Sequence, residues 1–279
     1  MIDIIDSHVH FWEPSRLNYP WLGDVQKINR PCLPEDLPRQ GEGWTMSGLV
    51  FVQADCIPEH GIEEARWVAS LGDERIQGIV AFAPLEKGDA VREELDQLKD
   101  IPLVKGVRRL IQSEPLGFSV QPDFVVGVRM LADYGFSFDL CIYHPQLGNI
   151  IRLVEECPQI EFVLDHIGKP GIKDGLLDPW REQITQLAAF RNVRCKISGM
   201  VTEADHEHWR PADLQPYIEH IIDAFGIERL MFGGDWPVVE LAATYPQWME
   251  TVLAATRAFS DEEQRLFFHD NARDFYRLA

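Results

Sequence analysis

Eight short apolar runs, each closing near a polar side chain, recur along the chain with starts about 25 to 45 residues apart, the spacing of parallel strands joined by helical crossovers. They lie at 4–10, 48–54, 76–84, 104–110, 136–144, 161–167, 193–199 and 229–235. Near-continuous β-branched and apolar runs of this length suit strands buried on both faces. Helical periodicity fills the gaps at 60–71, 88–99, 122–134, 146–156, 178–190, 213–225 and 246–258, and a last helix is expected at 260–276. The pattern predicts an α/β fold, a single (β/α)8 TIM barrel over residues 1–279, since one such barrel typically takes ~250 residues.

Local punctuation agrees. Asp178-Pro179 sets a capping side chain before a first-turn proline, Gly72 and Gly135 follow helical segments, and Ser260 with Glu263 forms a capping box. The stretch 11–47 has five prolines, little periodicity and the aromatics Phe11, Trp12, Trp21 and Trp44. Its aromatic content predicts an ordered N-terminal loop flap over the barrel mouth.

Composition removes some partners. A net charge of −19 leaves no basic patch to attract a polyphosphate backbone, so no nucleic acid is expected. The start MIDIIDSHVHF has no basic segment followed by an apolar one, and no run approaches the ~18 apolar residues of a membrane span, so no membrane partner and a cytoplasmic location are expected. The five cysteines, widely spaced and never in a Cys-x-x-Cys pair, read as reduced thiols. The sequence does not indicate an oligomeric state.

The chemistry gathers at the strand ends, the active-site face of such barrels. Strand one ends in His8 and His10, strand five in His144, strand six in His166 and strand eight in Asp235. His8 and His10, two apart on a strand, share a face. Barrel closure sets strand eight beside strand one, which brings Asp235 to them. His8, His10, His144 and Asp235 make a ligand set for one divalent metal ion, zinc by donor type, leaving His166 to polarise a carbonyl or orient water. His144 weighs toward the metal, because a metal-free clamp would not require it.

Arg108 and Arg109 alternate faces at the end of strand four, so Arg108 is expected to meet a substrate and Arg109 to form outward ion pairs. Gln53 closes strand two and can hold a hydroxyl, while Trp12 and Trp236 can wall a sugar ring. Lys196 lies within strand seven, where an ammonium needs a partner. Lys105 lies at the start of strand four, the end away from the mouth. His206 and His208, in a loop, and His60, His220 and His269, in or beside helices, read as surface residues or caps.

Four motifs carry a family resemblance: His8-Val9-His10, Leu164-Asp165-His166-Ile167-Gly168-Lys169-Pro170, Lys196-Ile197-Ser198-Gly199 with Val201-Thr202-Glu203-Ala204, and Phe232-Gly233-Gly234-Asp235-Trp236-Pro237. Together they resemble the amidohydrolase superfamily over Ile5 to Tyr276. More narrowly they resemble its lactonase branch, with L-fucono- and L-rhamnonolactonases and 2-pyrone-4,6-dicarboxylate lactonase. The resemblance implies hydrolysis of a lactone's cyclic ester, with Asp235 as general base and His166 and His144 assisting. The expected partner is a small-molecule sugar lactone. Some members of that branch work without metal. The alternatives are a metal-dependent decarboxylase of the same superfamily and a sugar-binding barrel without catalysis.

Overall fold

The computed structural model describes residues 1–279. Eight parallel strands follow one another in chain order: β1 (Ile2–Val9), β2 (Trp44–Val52), β3 (Ile76–Ala81), β4 (Val104–Val107), β5 (Ser137–Leu140), β6 (Phe162–Leu164), β7 (Val193–Ile197) and β8 (Leu230–Phe232). The sheet closes through a parallel bridge between Val9 and Trp236. Across the seam the His10 amide donates to the Trp236 carbonyl at 2.7 Å and the Asp235 amide to the His8 carbonyl at 2.8 Å. The closing hydrogen bonds are thus made by the residues whose side chains form the site.

Seven helices follow β2 to β8: α1 (Gly61–Ala69), α2 (Arg92–Lys99), α3 (Pro122–Tyr134), α4 (Leu147–Glu156), α5 (Trp180–Ala188), α6 (Pro211–Phe225) and α7 (Tyr245–Ala255). Gly135 ends α3 in the left-handed region at φ 67°, and Ser260 caps the next helix with its partner Glu263, both as expected. Asp178 makes no cap; it pairs with Arg181 instead, at 2.9 Å. The expected helix at 260–276 is present as one helical run of α8 (Asp261–Arg265), a π turn over Leu266–Asp270 and α9 (Asn271–Tyr276).

The first crossover has no α-helix. Residues 11–43 run as short turns, joined to the barrel by an antiparallel bridge between Trp12 and Cys32 and a two-residue strand, Gln40–Gly41, against β2. Part of the segment descends the barrel wall, where the Pro34 and Leu37 carbonyls accept from the buried Arg75 guanidinium. Trp21 is the part that reaches the mouth.

Inside the barrel Ile5, Val50, Val52, Val80, Val163 and Met231 pack together, and the C-terminal residues Phe275, Tyr276 and Leu278 join this cluster from the strands' N-terminal ends. Arg277 anchors that plug by donating to the Lys105 and Gly135 carbonyls. No helix is long and apolar enough to cross a membrane. All five cysteines are free and buried.

Candidate active site

At the C-terminal ends of the strands lies a cavity of about 250 Å³, lined among others by His10, Trp21, Arg108, His166, Lys169 and Asp235. Backbone strain concentrates here. Of the six non-glycine residues with positive φ, Asp55, His166, Lys169 and Asp235 line the cavity, and Ile167 lies between two of them. Such conformations persist only where the surroundings hold them, and they mark functional sites more often than ordinary turns.

A bulge in the β1–β2 register between Asp6 and Val9 aims His8 and His10 inward. Their rings sit 4.9 Å apart, and the His166 ring is 4.4 Å from that of His8. Each imidazole is held through Nδ1: His10 to the Val52 carbonyl at 2.7 Å, His8 to the Asp165 carboxylate at 3.3 Å and His166 to Ser198 Oγ at 2.9 Å. For His10 the carbonyl acceptor places the proton on Nδ1 and leaves Nε2 a lone pair, whereas His8 Nδ1 faces both the Asp165 carboxylate and the Lys196 ammonium, the latter at 3.2 Å. All three Nε2 atoms face one oxygen, Asp235 Oδ1, at 3.3 Å from His10, 3.8 Å from His8 and 4.0 Å from His166.

Two glycines of the resemblance motifs are explained by this crowding. A Cβ on Gly199 would lie 2.4 Å from His166 Nδ1, and one on Gly234 would lie 2.3 Å from Asp6 Oδ2. Asp6 itself ties the seam, accepting from the amides of His8 and Gly234 and from the Tyr245 hydroxyl.

Burial drives each ring toward its neutral form: His166 is lowered to about 4, and His8 and His10 are lowered as well. Burial opposes the ionisation of Asp235, and positive charge on His166, His8 and His10 counters it, drawing the carboxyl below its usual range. These shifts share one set of protons, because a ring favours the carboxylate only while it carries a positive charge. Burial thus favours neutral rings and, in doing so, removes the charge that would hold Asp235 ionised. Such a cluster is short of positive charge. A divalent ion supplies it, and the nitrogen and carboxylate donors suit zinc.

The ligand atoms of His8, His10 and Asp235 lie within 4.8 Å of one another, as do those of His8, Asp165 and His166. These residues fit a metal, although Arg108 Nη1 already lies 3.3 Å from His8 Nε2.

His144 belongs to neither group and does not line the cavity, which corrects its expected place as metal ligand and catalytic residue. The physical reason is local. Cys141 and Ile142 stay buried after β5 has ended at Leu140, so the apolar pattern outlasts the strand, and the chain turns away at His144-Pro145. Trp12 is also displaced from its expected role. It is fully buried in the flap, its indole donating to the Ile28 and Arg30 carbonyls. Trp236 packs on Phe11 and donates to Glu240, and Gln53 lies behind the cavity wall.

Arg108 faces inward, donating to Asp165 Oδ2 at 3.3 Å and to the Gln53 carbonyl; its Nε has no partner. Arg109 faces outward onto Glu86 and Glu114. His206 and His208 are bonded locally and exposed, and His60, His220 and His269 lie outside the cavity.

Several groups escaped the sequence reading. Lys196 Nζ lies 2.6 Å from Asp139 and 3.0 Å from Asp165, and the Tyr276 hydroxyl donates to Asp139 at 2.6 Å. This buried chain runs from the barrel floor to His8 and supplies the partner that Lys196 needs. Lys169 was passed over as a neighbour of His166. Its ammonium lines the cavity, lies 3.7 Å from Glu203 and makes no closer hydrogen bond. The alternation of strand residues would have paired Asp139 with Lys196 had two charges within apolar runs been weighed together.

The chain belongs to the amidohydrolase family, which matches residues 5–278. It is 32% identical over 275 residues to the L-fucono-1,5-lactonase of Burkholderia multivorans, covering 90% of each chain. It is 24% identical to the L-rhamnono-gamma-lactonase of Scheffersomyces stipitis, over 99% of this chain and 98% of that one. Among solved structures, a Burkholderia multivorans amidohydrolase with bound zinc superposes with a TM-score of 0.89 at 31% identity, over 99% of both chains.

Proposed function

We propose that this protein opens the cyclic ester of a sugar-acid lactone with water activated by Asp235. One observation carries the reading: a carboxylate with three imidazole nitrogens within 4.0 Å of one of its oxygens, in a cavity that also holds two cations, Arg108 and Lys169. The names of the two lactonase relatives support the substrate class. The cavity, at about 250 Å³, is slightly smaller than the ~300–1,000 Å³ of drug-sized ligand sites and suits a single sugar ring.

Asp235 takes a proton from water as its oxygen forms a bond to the lactone carbonyl carbon. The resulting oxyanion is stabilised by the fixed positive charges of Arg108 and Lys169, which cost no reorganisation in a site shielded from water. Collapse breaks the bond from that carbon to the ring oxygen, and the proton on Asp235 passes to the departing alkoxide. His166, anchored by Ser198, orients the water. His8, His10 and Asp235 would hold a single zinc ion, whose chemistry is to lower the pKa of water and polarise a carbonyl.

The test is a pH-indicator assay across a panel of five- and six-membered sugar lactones. Proton release without carbon dioxide is expected for at least one of them. Carbon dioxide release from a carboxylated substrate would instead favour a decarboxylase, and binding without turnover would favour a sugar-binding barrel.

A further inference from the structure

Asp55 is the residue of the cavity whose chemistry the reaction leaves unused. It follows β2 and adopts φ 58°, a conformation that glycine accepts more readily than any residue with a side chain. The fold enforces it from both sides. Gln53 Oε1 accepts the Asp55 amide at 2.6 Å, and the Gln53 carbonyl is taken by Arg108. Gln53 thus acts on the site indirectly, by shaping this turn.

The Asp55 carboxylate lines the cavity, is exposed at its mouth and makes no hydrogen bond or ion pair with any other residue. Nothing in the fold requires a carboxylate at a position where glycine would be less strained. Both carboxylate oxygens are open to what enters the cavity.

We propose that Asp55 is a specificity residue that accepts hydrogen bonds from a pair of adjacent hydroxyls on the lactone ring, selecting a neutral polyhydroxylated lactone. This inference rests on the lactonase reading. An ionised carboxylate offers about four acceptor sites and no donor, which matches the two O–H groups of a vicinal diol. It repels a substrate bearing further carboxylates, so dicarboxylated lactones fit this mouth poorly despite Arg108 and Lys169. Gln112 and Ser113, also on the cavity wall, leave the amide NH2 and the hydroxyl free of partners within the fold. Both kinds of group pair with sugar hydroxyls.

The experiment compares wild type, Asp55→Gly and Asp55→Asn on L-fucono-1,5-lactone and on δ-valerolactone, a six-membered lactone without hydroxyls. Glycine suits φ 58°, so Asp55→Gly removes the side chain without backbone strain. Losing hydrogen bonds to a charged acceptor is expected to lower the ratio of kcat/KM for the hydroxylated over the plain lactone about 10- to 100-fold, with Asp55→Asn between the two. An unchanged ratio in folded Asp55→Gly overturns the proposal. Calorimetric binding of L-fucose, a ring polyol that cannot be hydrolysed, separates this from the lactonase reading. If wild type turns over no sugar lactone of the panel, the lactonase reading fails, and the proposal stands or falls on whether Asp55→Gly weakens L-fucose binding.

Discussion

Replacing Asp235 by asparagine tests the centre of the proposed chemistry. Asparagine keeps the shape and, through its amide, can donate to the Nε2 lone pair that His10 presents at 3.3 Å. It cannot take a proton from water. A positioned general base contributes about 10²- to 10⁴-fold in rate, or ~3–5 kcal/mol of barrier. The variant exchanges a buried charge facing imidazole lone pairs for a neutral donor, so folding should survive, with Tm within the ~2–4 °C that 1 kcal/mol moves a chain of this size. Turnover is read by pH-stat at saturating lactone, and stability by circular dichroism. Residual activity should rise about tenfold per pH unit, because hydroxide then replaces base-activated water. A folded variant that keeps more than a tenth of wild-type turnover, with the wild-type pH profile, would refute the assignment of Asp235.

Three further outcomes follow from the buried charges. Lys196→Met strands the fully buried Asp139 and leaves Asp165 with Arg108 as its remaining cation, and should cost about 3–5 kcal/mol in urea denaturation; adding Asp139→Asn should recover part of it, and a loss below ~1 kcal/mol would contradict the ion chain. Glu64, fully buried with only the Ala54 amide as hydrogen-bond donor, is pushed up by burial from 4.5 to about 7. Its folded pKa therefore lies above its unfolded one, so its contribution is fully present below pH 4.5 and is lost as pH rises through about 7, roughly 3 kcal/mol in all. Glu64→Gln should consequently be more stable than wild type at pH 8 and not at pH 4, and parallel Tm profiles for the two would count against this. Elemental analysis should find one divalent ion per chain and dialysis against a chelator should lower turnover; metal-free protein with full turnover would leave the histidines as ligands for substrate and water alone.

What the sequence disclosed and what it hid follow from the range of the interactions involved. The barrel could be read because parallel strands buried on both faces leave apolar runs that one pass along the chain detects. His8 and His10 could be placed because their relation is local, and Asp235 because barrel closure dictates its neighbour. Strand ends were harder to read. Burial continues past the last ladder hydrogen bond, so Cys141 and Ile142 look like strand and carry His144 to a mouth it does not reach. After β6 the same ambiguity fell the other way, because four consecutive left-handed residues from His166 to Lys169 fold the chain back into the cavity and bring both side chains with them.

The buried polar layer was the least visible part, since each member reads as an isolated charge until the strands are set side by side. Asp139 and Lys196 come from β5 and β7, Asp165 from the turn that follows β6 between them, and Tyr276 from the far end of the chain. Their arrangement joins the C-terminal plug to the imidazole of His8, with Tyr276 on Asp139, Asp139 on Lys196, and Lys196 on Asp165. Asp139 is tolerable because it shares the Lys196 cation with Asp165, Asp165 has Arg108 besides, and the buried ammonium is tolerable because both carboxylates flank it. The orientation of His8 therefore depends on residues at the opposite end of the barrel, a dependence expressed in three-dimensional charge pairing and not in any run of sequence.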